Sequence, residues 1–172
     1  MLDEATGEVE LKLAQRGFEY MPRDILQLIG KQKKREDDDS EEDRNNELMN
    51  GVLVSLDIQY NKIQELEGAL FLHLGLDGSI DLRQIKASHN QIKYISSRIK
   101  DCKNLQTLKL SHNLLHGKDF LPIELLDSHL IQRSLQYLYL AHNNIRELPN
   151  QLGKLKNLKV LDLVGNKLRQ LQ

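Results

Sequence analysis

One spacing of apolar residues and asparagine recurs along this chain and limits its fold more than any other feature. Within residues 134–148 it reads Leu135-x-x-Leu138-x-Leu140-x-x-Asn143-x-Ile145. It returns as Leu158, Leu161, Leu163, Asn166, Leu168, and earlier as Leu105, Leu108, Leu110, Asn113, Leu115. Looser copies run Leu82, Ile85, Ala87, Asn90, Ile92 and Leu53, Leu56, Ile58, Asn61, Ile63. A degenerate copy near the start holds Leu11, Leu13 and Phe18, with Arg16 in place of the asparagine. Residues two apart on a strand face the same side, so Leu138 and Leu140 share a face. One such unit cannot bury its apolar edge alone; about three stacked units can. The asparagine falls where the chain leaves the strand. Backbone groups buried in that turn need partners, and an amide both donates and accepts.

The pattern resembles the leucine-rich repeat family, over roughly residues 8–29 and 50–172. The resemblance implies an α/β leucine-rich repeat solenoid, or horseshoe, with a parallel concave sheet and irregular or short helical convex segments. It also implies that Asn61, Asn90, Asn113, Asn143 and Asn166 form a structural ladder through the stack. None of the five is followed two residues later by Ser or Thr, so no glycosylation sequon competes with that role. The Leu148-Pro149 step and the LGKLKNL segment from Leu152 to Leu158 are similar to the intracellular subtype of Ras-group-related and Ras-suppressor proteins. Members of that subtype bind small GTPases, phosphatases, or cytoskeletal and junctional proteins.

Three regions are expected: an N-terminal capping repeat over 1–30, a charged disordered insert over 31–49, and five repeats over 50–172 without a visible C-terminal cap. In residues 31–47, thirteen of seventeen are charged, which prevents burial of apolar area. The stretch reads as a solvated loop. Ser40, within DDDSEED, also resembles a site for an acidophilic kinase. The ladder asparagines are spaced 29, 23, 30 and 23 residues apart. The extra residues of the long repeats lie near 69–80 and 116–133, where helical turns on the convex side are expected. Phe120, Leu121, Leu125 and Leu126 read as packing residues there. Cys102 falls at the position of a core leucine, matching Leu155, and reads as an inert buried thiol.

Composition narrows the function classes. The net charge is −1, and outside 31–47 there are 19 basic and 17 acidic residues. That balance argues against nucleic-acid partners. The acidic MLDEATGEVE opening does not read as a secretory signal. No apolar run approaches the 18 or so residues of a membrane span. With one cysteine, the expectation is a cytoplasmic protein, with Lys31–Arg35 as a weak nuclear signal. We find no phosphate loop, nucleophile elbow or zinc-protease motif, so no catalytic residue, metal or cofactor is expected.

Side chains between the strand leucines point onto the concave surface. The column between them runs Lys12, Asp57, Lys86, Lys109, Tyr139, Asp162; the column before it ends Thr107, Tyr137, Val160. Lys86, Lys109, Tyr137, Tyr139 and Asp162 are therefore the expected partner-binding patch, because tyrosine supplies rigid area with a polar tip. His89, His112 and His142 each precede a ladder asparagine, and Tyr60 and Gly165 fill the same place elsewhere. They read as turn residues with a modest pH response rather than as a metal site. Together these readings point to a non-catalytic scaffold or adaptor in signalling or at the cytoskeleton. The alternatives are a regulatory subunit acting on a phosphatase or small GTPase, and the recognition fragment of a larger enzyme. Its partner would be a protein, and a missing region or another chain could cover its C-terminal edge.

Overall fold

The computed structural model describes residues 2–3, 6–21, 52–66 and 80–169. The charged insert, Ser40, the 69–79 segment and residues 170–172 lie outside them. The strands are β1 (Leu2–Asp3), β2 (Glu8–Lys12), β3 (Val52–Asp57), β4 (Glu65–Leu66), β5 (Ile80–Lys86), β6 (Tyr94–Ile95), β7 (Thr107–Lys109), β8 (Tyr137–Tyr139) and β9 (Val160–Asp162). Among the described residues, two short helices, α1 (Ile123–Leu126) and α2 (His129–Ser134), and two 3-10 turns, Ser97–Asp101 and Asn150–Lys154, lie between strands.

One sheet runs β1-β2-β3-β5-β7-β8-β9 and carries the concave face. From β2 onward every pair is parallel, as strands joined by long returning connections must be. Chain order therefore becomes spatial order, the signature of a solenoid. A second, two-stranded sheet pairs β4 with β6 beyond the asparagine turns. The core runs between the two sheets and the convex segments. Leu56, Ile85, Leu108 and Leu138 occupy one row and Ile58, Ala87, Leu110 and Leu140 the next, all at 0% exposure.

The convex side uses a different device in each type of repeat. In the compact repeats the return is a 3-10 turn. Ser96 accepts from the Arg98 N–H at the start of one, and Pro149 begins the other. Cys102 and Leu155 end these turns with nearly the same backbone, φ −74, ψ 69 and φ −76, ψ 69. Both are buried. Burial raises the Cys102 thiol pKa, with Asp101 and Asp81 adding to it, so the thiol stays protonated. In the 30-residue repeat the return is α1 and α2, with Phe120, Leu121, Leu125, Leu126 and Ile131 buried beneath them.

At the N-terminus, β1 pairs antiparallel with β2 through a turn containing Gly7 at φ 67. The sequence reading did not anticipate this hairpin. It covers the outer edge of β2, an edge strand that would otherwise offer unpaired backbone groups. Val9 and Met21 are 2% exposed beside it.

Candidate functional site

The geometry of the concave face rests on the asparagine turns. Each asparagine donates from Nδ2 to a carbonyl of its own repeat and to one of the preceding repeat. Asn143 reaches Leu140 O at 2.9 Å and Leu110 O at 3.0 Å. Its Oδ1 accepts from the Leu115 N–H at 3.0 Å. Asn90 and Asn113 repeat the arrangement, with Oδ1 accepting from Ile63 and Ile92. Asn61 donates to Leu13 O and accepts from the Arg16 and Phe18 N–H groups. Asn166 donates to Leu140 O and Leu163 O and accepts from Ile145. Every rung thus bonds two neighbouring repeats and fixes their spacing.

With spacing fixed, strand register aligns the concave columns. Lys12, Asp57, Lys86, Lys109, Tyr139 and Asp162 are successive register partners, as are Thr107, Tyr137 and Val160. The five expected partner-binding residues share one surface, but they are not equally available. Lys86 donates to Glu10 at 2.7 Å and its side chain is 22% exposed. That ion pair, with Lys12 at 3.2 Å on the other oxygen, holds the Glu10 carboxyl below the usual range. Arg83 bridges Glu8 and Asp81 in the same half. Asp162 accepts from the Val164 N–H at 3.1 Å, as Asp57 does from Gln59. Lys109, Tyr137 and Tyr139 remain as half-buried side chains facing solvent. The Lys109 ammonium lies 5.5 Å from the Tyr139 ring centre, and Lys159 lies 6.0 Å from that of Tyr137. Each cation over a ring is worth about 0.5–1 kcal/mol at an exposed site, a modest bias on where the ring rests. Lys159 escaped the sequence reading because it lies outside the strand columns.

A second column borders the patch. Gln15, Tyr60, His89, His112, His142 and Gly165 occupy the same turn position, all with positive φ (59, 55, 56, 55, 53 and 69°). The shared left-handed backbone gives these positions the same local conformation in successive repeats. The rings of Tyr60, His89, His112 and His142 stack at 4.4, 4.2 and 4.3 Å between centres, with planes 10, 10 and 18° apart. Rings this close to parallel hold their nitrogens in separate planes, which do not converge on one ion. A Cβ at Gly165 would collide with the His142 ring, so only glycine fits there while that ring keeps its position. The pKa of His112 is lowered, first by desolvation and then by its neighbours His89 and His142. Two imidazolium charges at about 4 Å repel by about 1 kcal/mol even in bulk water.

At the other end, β9 has a strand on one side only among the described residues. Leu161 is 37% and Val164 67% exposed, and a groove of about 1080 Å³ opens beside Leu161, lined also by Leu152, Leu158, Arg146 and Arg169. In each earlier repeat the positions equivalent to Leu163, Gly165 and Leu168 donate their N–H to the following repeat, as Leu140 does to Asp162 O, His142 to Val164 O and Ile145 to Asn166 Oδ1.

The architecture is that of a leucine-rich repeat solenoid. Residues 133–172 match the family of Leucine Rich repeats (2 copies). A solved leucine-rich repeat protein of Leptospira interrogans is 31% identical with a TM-score of 0.57, covering 67% of this chain and 26% of its own. Mouse (Mus musculus) Osteomodulin is 34% identical over 119 residues, 66% of this chain and 24% of that protein. The Drosophila melanogaster Protein phosphatase PHLPP-like protein is 29% identical over 110 residues, 64% of this chain and 10% of that protein. The repeat, the sheet and these matches support the leucine-rich repeat family. The chain spans between a tenth and about a quarter of the length of these relatives. Among the described residues, no helix is long and apolar enough to cross a membrane.

Proposed function

We propose that this chain is a non-catalytic protein-interaction module that binds a protein partner on its concave face. The observation that carries this reading is the half-exposed cluster of Lys109, Tyr137 and Tyr139, with Lys86 and Asp162 at its border. Lysines lie over both tyrosine rings and bias their position before any partner arrives. Pre-ordered aromatic side chains lose little entropy on binding, which favours them as contact centres. The N-terminal half of the same face has its charges paired internally (Glu8, Arg83 and Asp81; Glu10 and Lys86) and is the frame rather than the contact. The working role is an adaptor in cytoplasmic signalling or at the cytoskeleton, of the Ras-suppressor-like subtype. In this reading residues 1–30 serve as its cap, Ser40 as a phosphorylation site and 50–172 as the binding repeats.

The second reading is a recognition segment that directs a phosphatase or small GTPase, or part of a larger enzyme. The likeness to the PHLPP-like phosphatase over about a tenth of that protein favours it. In that case the β9 edge is covered by a further segment or another chain, supported by the N–H groups of Leu163, Gly165 and Leu168 at its rim.

The test is capture of binding proteins from lysate by the wild type and by a Tyr139→Glu/Lys109→Glu variant, both shown folded by circular dichroism. The expected outcome is a partner lost only in the variant. Retention of every partner by the folded variant rejects the concave patch.

A further inference from the structure

The stacked histidines are not needed to close the turns they occupy. Gln15 takes the same left-handed turn position without an imidazole, and Gly165 without a side chain. Yet His89, His112 and His142 form a continuous column with ring centres 4.2 and 4.3 Å apart, open to solvent along its edges. The groups packed on it are Tyr60 at one end and the Gly165 backbone at the other. The flanking concave column, three positions earlier in each repeat, supplies Asp57, Lys86, Lys109 and Asp162. The carboxylates of Asp57 and Asp162 accept from their own turns, and Lys86 is held by Glu10. Among the described residues, none of the three imidazoles makes an ion pair. A second proton taken up by the column therefore meets like charge from the first, with no ion-paired carboxylate to offset it.

We propose that the His89–His112–His142 column is a proton-linked binding surface for an acidic segment of a protein partner. This rests on the reading of the chain as a protein-binding module and adds the chemistry of what it binds. A run of carboxylates laid along the column supplies the counter-charge the fold lacks. It stabilises the protonated rings, so the rings gain protons when the segment binds. By linkage, affinity then rises as pH falls and the rings gain protons. At higher pH the neutral column offers only its edges, and attraction falls to what Lys109 and its neighbours provide. The acidic segment stays ionised throughout, because aspartate titrates near 3.9.

The probe is a hexa-aspartate peptide, titrated against the full chain at pH 8 and pH 6 while the imidazole C–H resonances are followed by NMR. The expected result is an affinity about tenfold higher at pH 6, corresponding to an average uptake of roughly half a proton across the interval. Shifts should concentrate on His89, His112 and His142. His89→Gln/His112→Gln/His142→Gln should abolish the pH dependence; Gln15 shows that glutamine suits this turn. His112→Gln alone breaks the column in the middle and should roughly halve the logarithmic effect. The same pH dependence in the folded triple variant, or no tightening between pH 8 and pH 6, overturns the proposal. An equal response to inorganic phosphate overturns the acidic-peptide assignment in favour of a general anion site. The imidazole resonances report this column directly, so failure here is distinct from failure of the lysate test on the tyrosine patch.

Discussion

The repeat at 135–145 and the repeat at 158–168 carry the same apolar spacing and the same asparagine, yet they differ in burial. Leu138 in β8 is fully buried, whereas its register partner Leu161 in β9 is 37% exposed. Leu140 is fully buried, whereas Leu163 is only partly covered. The residues are alike; the neighbours are not. β8 lies between β7 and β9, while β9 has only β8 among the described residues. Burial in a solenoid is therefore supplied by the adjacent repeat, not by the repeat that owns the leucine. The N-terminal end makes the same point in reverse. A two-residue antiparallel strand, β1, is enough to close the edge beside Val9.

The comparison predicts unequal costs for equal substitutions. Leu138→Ala should lower stability by about 3 kcal/mol, within the range for cavities in a packed core. Leu161→Ala should cost about 1 kcal/mol, because much of its area already meets water. Urea unfolding of the two variants measures the difference, and equal costs would mean that the last repeat is as well packed as the one before it.

A smaller effect is expected at the ladder. Asn143→Leu leaves buried groups of two repeats without partners and should cost roughly 1–3 kcal/mol. Asn166→Leu removes bonds of the same length in a half-exposed setting, where water can replace them, and should cost about half as much. Thermal melts of both variants decide whether the ladder is worth more inside the stack than at its end.

The smallest effect separates two glycines of the C-terminal region. Gly165→Ala places a Cβ against the His142 ring at φ 69 and should cost about 1 kcal/mol, with a displaced His142 resonance. Gly153 faces open space, so Gly153→Ala should be neutral or stabilising by about 0.5 kcal/mol. Stability curves that rank the two alike would dissociate Gly165 from the column.

Much of the fold was legible in the chain because the pattern is local and repeated. Leu108, Leu138 and their equivalents alternate with solvent-facing residues at the period of a strand, and strand register follows once repeats stack. Cys102 could be placed in the core by analogy with Leu155, and Phe120 to Leu126 by their apolar run. The concave columns were legible too, since register partners share a column. Their chemistry was less so. That Lys86 is held by Glu10, and Lys109 by Tyr139, depends on rotamers and on residues as much as 76 positions apart. The histidines could be seen to share a turn position, but the left-handed backbone that turns them into a stack could not.

What the sequence determined by itself, then, is the set of relations that repeat: the strand period, the core rows, the asparagine turns and the order of strands in the sheet. These follow from short-range stereochemistry applied several times over. Tertiary structure alone decided what happens where repetition stops or side chains meet across it: the β1 hairpin closing one end, the exposed Leu161 at the other, the internal pairing of half the concave charges, and the stacking of His89, His112 and His142. Each depends on which groups are brought within a few ångströms by the stack, and through-space contact of that kind has no period in the chain.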